Sequence, residues 1–303
     1  MMKKNKLAFS VVCLLCFTTL FLAGCSKQKS GQVQKTAKLV YVNWEEGVDY
    51  THLAQAVLEE KMGYKVNITA ADVAPAYVSV AQGDEDAFME TWLPVTHEEY
   101  VKRYQDDIIQ LGTVYENTKL GLVVPKYVYD AGVHTISDLK KPEFAKKFNY
   151  TITGIDAGAG LMRTTEQNIM PQYGLDADGY KLLSSSGPAM MSALREAVES
   201  NGWIVVTGWQ PHSMFGYFDL KFLNEDKDPA VWQPGNIYIY GRKNLKEDKP
   251  ELAAFLSKMY LTNDDIASLM VAIKSSDKDT LGAAYDWMHS HEDVVAKWLP
   301  DNK

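Results

Sequence analysis

The sequence at residues 38–70 reads KLVYVNWEEGVDYTHLAQAVLEEKMGYKVNITA and contains two short β-like runs on either side of an amphipathic segment. The runs at 38–44 and 64–70 predict strands, and the segment 50–63 predicts a helix with one apolar face that ends at Gly63. Similar strand and helix patterns alternate along the rest of the chain. The sequence therefore predicts an α/β fold with mainly parallel sheets.

Two apolar, strand-like runs, LGLVVPKYV at 120–128 and IYIYGRK at 237–243, bracket a middle segment that has its own strand and helix pattern. This arrangement predicts two lobes that are joined by two crossing segments. Lobe 1 is expected to comprise residues 39–121 and 238–303, and lobe 2 residues 122–237. A cleft between two such lobes is a natural place for a ligand.

The first 25 residues have the plan of a secretory signal, with a basic start, a long apolar stretch and small residues before Cys25. The ending Leu-Ala-Gly-Cys resembles a bacterial lipoprotein signal, which implies that Cys25 carries lipid and tethers the protein to a membrane surface. The polar residues 26–38 then predict a flexible tether. An uncleaved membrane anchor is the alternative, although the apolar run is at the short end of the roughly 20 residues that a spanning helix needs.

Charge and cysteine content exclude several classes of protein. The formal net charge is −8, and the predicted signal contains three lysines and no acidic residue, so its removal makes the chain more acidic. A nucleic-acid partner is therefore not expected, because such a partner favours a basic patch. Beyond Cys25 the chain has no cysteine for a disulfide.

His289 and His291 are two apart on a predicted helix and do not share a face, so no metal site is predicted there, and no cofactor is expected.

Three tryptophans come at the ends of predicted strands: Trp44 closes VYVNW, Trp92 closes AFMETW and Trp209 closes IVVTGW. In parallel α/β sheets, ligands lie beyond the carboxyl ends of the strands. Two of these tryptophans fall in predicted lobe 1 and one in lobe 2. The pattern predicts an aromatic box that is assembled when the lobes close.

Four sequence blocks stand out: VNWEEGVDY, ETWLPVTHEEY, GIDAGAGLM and VVTGWQPHSMF. With these blocks the chain resembles, over nearly all of residues 38–300, the substrate-binding component of ABC importers for glycine betaine and other quaternary amines. The resemblance implies a two-lobed, periplasmic-binding-protein-like fold of type II that closes on its ligand. It also implies an extracytoplasmic, lipid-anchored protein that passes its ligand to a permease driven by an ATPase.

The resemblance further implies that Trp44, Trp92 and Trp209 surround a trimethylammonium group. A quaternary ammonium has no N–H to donate, whereas the negative faces of indole rings attract its diffuse charge. The resemblance also implies a second contact, for a carboxylate, at His97 and at the backbone amides of the Gly160 region.

The residues around Gly160 support this second contact independently. The run GAGLMRTTEQNIM begins with glycines that permit close approach of the backbone and continues in a helical pattern, so the amides of Gly160 and Leu161 form an anion site at a helix N-terminus. His97 adds a side-chain donor. The three tryptophans, here called the cage, and the carboxylate contacts at His97, Gly160 and Leu161, here called the clamp, together suit a zwitterion such as glycine betaine. Carnitine and proline betaine have the same two ends.

Two alternatives stay open at the level of sequence. Glu46 follows Trp44 closely, and choline-binding relatives use a carboxylate near this position, so Glu46 turned into the cage would favour choline. An exported hydrolase would use Ser186 with His212 or His97, but the chain has no G-x-S-x-G elbow. No catalytic residue is therefore assigned, and Ser186 is expected to cap a helix instead.

Three further residues near the four blocks receive supporting interpretations. Asp156 is expected to orient its loop, and His212 to support Trp209. Ser213 stands where many betaine-binding relatives have a second aromatic residue.

Overall fold

A computed structural model of the protein describes residues 34–300. The predicted signal, the predicted lipidation at Cys25 and most of the predicted tether lie outside the described residues. Residues 36–38 were predicted to belong to the flexible tether, but they lie in the first strand, which begins at Thr36, and Ala37 is completely buried. Across residues 34–300 no helix has both the length and the apolar character to cross a membrane.

The strands alternate with helices along the described chain. They are β1 (Thr36–Tyr41), β2 (Lys65–Ala70), β3 (Ala87–Leu93), β4 (Ile108–Pro125), β5 (Thr151–Thr153), β6 (Lys181–Leu183), β7 (Val206–Gln210), β8 (Leu220–Phe222) and β9 (Gly235–Arg242).

Helices lie in most of the connections between strands, and the last five follow β9. They are α1 (Glu45–Glu60), α2 (Val73–Gln82), α3 (Glu98–Arg103), α4 (Lys126–Asp130), α5 (Pro142–Ala145), α6 (Gly160–Thr164), α7 (Met170–Tyr173), α8 (Gly187–Glu199), α9 (Met214–Tyr217), α10 (Leu245–Asp248), α11 (Pro250–Lys258), α12 (Asn263–Lys274), α13 (Thr280–Ser290) and α14 (Glu292–Val295). A 3₁₀ turn (Ile136–Lys140) follows α4, and a π-helical turn (Thr165–Ile169) joins α6 to α7.

The described strands form a mixed sheet in the order β2-β1-β3-β9-β4-β7-β5-β6, with β8 beside β4. Parallel pairs join β1 to β2 and β3, and β5 to β6 and β7. Every antiparallel pair contains β4 or β9. The expectation of mainly parallel sheets was therefore wrong at the centre, because the segments predicted to cross between lobes pair there with neighbours that run the opposite way.

Strand β4 links the two parts of the sheet. Residues 108–118 pair with β9, and residues 119–123 pair with β7. The predicted lobe boundaries at 121–122 and 237–238 fall inside β4 and β9, and residues on both sides of each boundary are paired with a neighbouring strand. The exact position of the division between lobes stays a prediction.

Helix α1 begins five residues before the predicted start. Trp44 is its N-cap residue and lies three residues beyond the end of β1, and the amide of Val48 donates to the carbonyl of Trp44 at 2.9 Å. Glu45 and Glu46 occupy the first turn, where carboxylates interact favourably with the positive end of the helix dipole. The early start places both acids beside Trp44 at the carboxyl end of β1.

Candidate functional site

The structure brings the three strand-end tryptophans together. The ring centroid of Trp44 lies 6.4 Å from that of Trp92 and 6.3 Å from that of Trp209, with the planes inclined at 81° and 55°. All three side chains are buried, with at most 5% of each residue exposed. They come from the α1 N-cap, from β3 and from β7, so no two belong to one local segment.

The six residues predicted to bind ligand line one narrow cavity of about 20 Å³. Its lining comprises Trp44, Trp92, Thr96, His97, Leu120, Ile155, Gly160, Leu161 and Trp209. A volume of this size holds about one water molecule. A larger ligand therefore requires the walls of the cavity to separate.

Each cage indole donates its N–H to a carboxyl group. The pairs are Trp44 Nε1 with Asp156 Oδ2 at 3.2 Å, Trp92 Nε1 with Glu90 Oε1 at 3.4 Å, and Trp209 Nε1 with Glu46 Oε1 at 2.7 Å. The edge of an indole is positive and its faces are negative, so an acid at the edge restrains rotation of the ring and leaves the faces free. The three carboxyl groups therefore orient the walls of the cage.

Sequence reasoning missed Glu90. A weak signal was available, because Glu90 is the one acid in a mostly apolar strand, and it lies two residues before Trp92 and hence on the same strand face. Asp156 was expected to orient its loop, and its acceptor role toward Trp44 was not foreseen. Glu46 is fully buried and does not line the cavity, so direct contact with a ligand would require it to leave Trp209.

His97 presents an unpaired donor to the cavity region. Its Nδ1 accepts the backbone N–H of Trp92 at 3.2 Å, so in the neutral ring the proton is on Nε2. The Nε2 atom is buried and has no hydrogen-bond partner among residues 34–300. Burial and then the charge of Arg163 lower the pKa of His97 to about 3, so the ring is neutral at physiological pH. His97 therefore offers one N–H to an acceptor in the cavity.

Gly160 and Leu161 begin a helical run that continues from α6 through the π-helical turn into α7. The first amides of a helix have no intrahelical acceptor and lie at the positive end of its dipole. A Cβ atom on Gly160 would lie 2.1 Å from the carbonyl oxygen of Thr96. Glycine is therefore required for this helix end to approach the loop that carries His97.

Several polar contacts join residues of predicted lobe 1 to residues of predicted lobe 2 around the cavity. They are Arg163 Nη2 to Thr96 O at 2.7 Å, Tyr100 OH to Gly158 O at 3.2 Å, and Ser213 N to Glu45 Oε2 at 3.3 Å. The Ser213 hydroxyl also bonds Glu45, and Ser213 does not line the cavity. These hydrogen bonds help to hold the cavity walls in contact.

The residues of the hydrolase alternative are not assembled. Ser186 accepts the N–H of Ala189 at 3.3 Å and caps helix α8, which confirms the predicted cap. His212 Nδ1 accepts the N–H of Met214 at 3.0 Å, and its ring packs edge-on against Trp209 with centroids 4.5 Å apart. Across residues 34–300, no hydrogen bond joins Ser186 to His212 or His97.

The chemistry of the cavity suits a small zwitterion without N–H groups at its cationic end. Indole faces attract a diffuse positive charge. The N–H of His97 and the helix N-terminus attract an anion. The two kinds of contact line the same cavity, so a short molecule can reach both.

Comparisons with known proteins agree with this chemistry. Residues 35–290 match the family described as substrate binding domain of ABC-type glycine betaine transport system. Over 158 residues the chain is 44% identical to the glycine betaine/carnitine transport binding protein GbuC of Listeria monocytogenes. That match covers 52% of this chain, and it spans only about half (52%) of the Listeria protein.

Two solved structures are similar over 88% of the chain. One is lactococcal OpuAC in its closed-liganded conformation complexed with glycine betaine, at 35% identity and a TM-score of 0.79, matched over 100% of its length. The other is the glycine/betaine/L-proline-binding protein ProX of Borrelia burgdorferi, at 31% identity and a TM-score of 0.81, matched over 97% of its length. These likenesses confirm the predicted α/β, two-lobed, type II periplasmic-binding-protein-like fold.

Proposed function

Because the chain belongs to the family of substrate-binding domains of ABC-type glycine betaine transport systems, we propose that it captures glycine betaine and delivers it to the permease and ATPase of an importer for osmoprotectant uptake. Carnitine and proline betaine are further candidate ligands, since they have the same two ends. Substrate-binding proteins of ABC importers act outside the cytoplasm. The lipid anchor at Cys25 stays a prediction.

The observation that carries the proposal is the cavity that the three tryptophans line together with His97, Gly160 and Leu161. Each desolvated indole face contributes about 1 to 2 kcal/mol to the binding of a quaternary ammonium. Three faces then supply about 3 to 6 kcal/mol, whereas micromolar affinity needs about 8 kcal/mol. The carboxylate contacts are expected to supply the rest.

Capture follows from the division of these groups between the predicted lobes. Trp44, Trp92 and His97 belong to lobe 1, and Gly160 and Trp209 belong to lobe 2. A ligand that contacts both sets favours the closed arrangement over the open one, and so shifts the population toward it. The narrowness of the cavity supports this hinged entry, because the walls have to separate before a head group can pass between them.

Calorimetric titration of the purified protein with glycine betaine, carnitine and choline tests the proposal. We expect glycine betaine to bind in the micromolar range and choline at least about tenfold more weakly, which corresponds to about 1.4 kcal/mol. The ligand should be recovered unchanged, and any product formed would favour the hydrolase. Preference for choline would support the alternative in which Glu46 is the counter-charge. No binding to any of the three would overturn the proposal.

His97→Ala is expected to weaken binding of glycine betaine about 10- to 150-fold and binding of choline much less. The reason is that His97 donates to a carboxylate, which choline lacks, and a hydrogen bond to a charged group contributes about 1.5 to 3 kcal/mol. Titration of both ligands into the variant measures this. His289→Ala is the matched control, because His289 is exposed and bonds Glu60 outside the site. Equal losses for both ligands would show that His97 only supports the cavity walls.

A further inference from the structure

Two buried carboxyl groups lie behind the cage. Glu46 of α1 and Glu90 of β3 are both fully buried, and each accepts the indole N–H of a different cage tryptophan. The two groups are neighbours, because a Cβ atom on Gly47, the residue after Glu46, would lie 2.0 Å from Oε2 of Glu90, and the Glu46 charge acts on Glu90. One oxygen of each, Oε2, has no hydrogen-bond donor anywhere in the described part of the chain. Two ionised carboxylates in such a place would be costly, because both are buried, one oxygen of each lacks a donor, and the two negative charges repel each other.

The groups that act on this pair are acidic or neutral. Within α1 they are Glu45, Asp49 and Tyr50, β4 contributes Tyr115, and the loop before α6 contributes Asp156. His97 precedes α3, and its ring is neutral. The positive charge of Lys274 in α12 acts on Asp49. The environment therefore favours retention of protons by the pair.

The pKa values of both carboxyl groups are raised, in agreement with their burial and their closeness to each other. The pKa of Glu46 is raised to about 8, chiefly by burial; the hydrogen bonds from its own backbone amide and from the Trp209 indole oppose the rise, and the Glu45 charge adds to it. Burial raises the pKa of Glu90 well above its usual range, and the Glu46 charge acts in the same direction. Carboxyl groups this close titrate as a pair and not singly. A proton held by the pair also supplies a donor that the two orphaned oxygens lack.

We propose that Glu46 and Glu90 are positioning residues that hold Trp209 and Trp92 by their N–H groups, and that they share a labile proton which is released when a cationic head group enters the cage. The inference rests on the proposed function, since it needs a cationic ligand in the cavity. In the release step an O–H bond of the carboxyl pair breaks, its electron pair stays on the oxygen and the proton passes to solvent. The new carboxylate then faces the ligand cation across the indole rings.

The direction of the pH dependence follows from this step. A bound cation stabilises the ionised form, so the liganded protein holds fewer protons than the free protein around pH 8. Affinity for the ligand therefore rises as the pH is raised through this region and is flat well below it. If the two acids only packed against the indoles, the affinity would not depend on pH in this region, and ligand binding would release no protons.

Calorimetry of the purified protein with glycine betaine at pH 8, in phosphate and in Tris, measures the number of protons released, because the two buffers differ in ionisation enthalpy. We expect release of a substantial fraction of one proton, and an affinity that rises several-fold, up to about tenfold, between pH 6.5 and 9. In the double variant Glu46→Gln/Glu90→Gln, we expect neither the release nor the pH dependence.

Asp49→Asn is the matched control. Burial also raises the pKa of Asp49 to about 8, but Asp49 accepts no indole N–H. We expect this variant to release protons as the wild type does. Release that disappears in Asp49→Asn and persists in the double variant would overturn the proposal, and so would betaine binding by the wild type without release. If the double variant does not fold, proton release by the wild type still tests the proposal. Absence of any betaine binding by the wild type would overturn the proposed function itself.

Discussion

Gly160→Ala is expected to weaken glycine betaine binding by about 5- to 150-fold, because its methyl group keeps the cavity walls apart. The new Cβ atom would lie 2.1 Å from the carbonyl oxygen of Thr96 and 2.4 Å from its Cβ atom. These atoms belong to the loop backbone or adjoin it and cannot move like the end of a flexible side chain. Overpacking of this kind costs about 1 to 3 kcal/mol, which gives the stated range.

The Gly160→Ala result is checked by titration calorimetry and small-angle scattering. The wild type should become more compact with saturating glycine betaine, and the variant should need much more ligand for the same change. Gly216→Ala is the matched control, because no atom lies within 4 Å of its added Cβ. It should bind as the wild type does. Wild-type affinity in Gly160→Ala would show that contact between this helix end and the Thr96 loop is not needed for binding.

Trp209→Ala is expected to reduce the affinity for glycine betaine about 5- to 30-fold and also to lower stability. Loss of one cage wall removes about 1 to 2 kcal/mol of cation–π attraction. Loss of a buried tryptophan leaves a cavity, which costs about 3 to 5 kcal/mol of stability, and leaves Glu46 without its indole donor. Calorimetric titration gives the first quantity and thermal unfolding the second.

A pair of phenylalanine variants separates the two functions of this indole. Trp209→Phe keeps an aromatic face and loses the N–H to Glu46, so its affinity should lie between those of the wild type and Trp209→Ala. Trp203→Phe is the control, because Trp203 packs against Phe144 and Phe148 and does not line the cavity. It should bind normally. Unchanged affinity in Trp209→Ala would refute the cage.

The order of strands and helices near the site was predictable because it depends on local patterns. Apolar runs and the helical period placed β1, β3, β7 and the helix after Gly160 close to where the structure has them. The start of α1 was predicted five residues late, because the turn at Trp44 has no side-chain cap that would mark it. The antiparallel pairing of β4 and β9 was missed because pairing direction depends on how distant strands meet.

The positions of the three tryptophans could be read from the chain, since each directly follows or ends a strand pattern, and the aromatic faces indicate the kind of ligand they suit. The acids behind them could not be assigned in this way. Glu90 is two residues from Trp92, but Glu46 and Trp209 are 163 residues apart, and Asp156 and Trp44 are 112 apart. A buried indole N–H needs a hydrogen-bond acceptor. Which distant residue supplies it depends on how separate helices and strands pack together. The same packing requires glycine at position 160, where the helix end meets the backbone of Thr96.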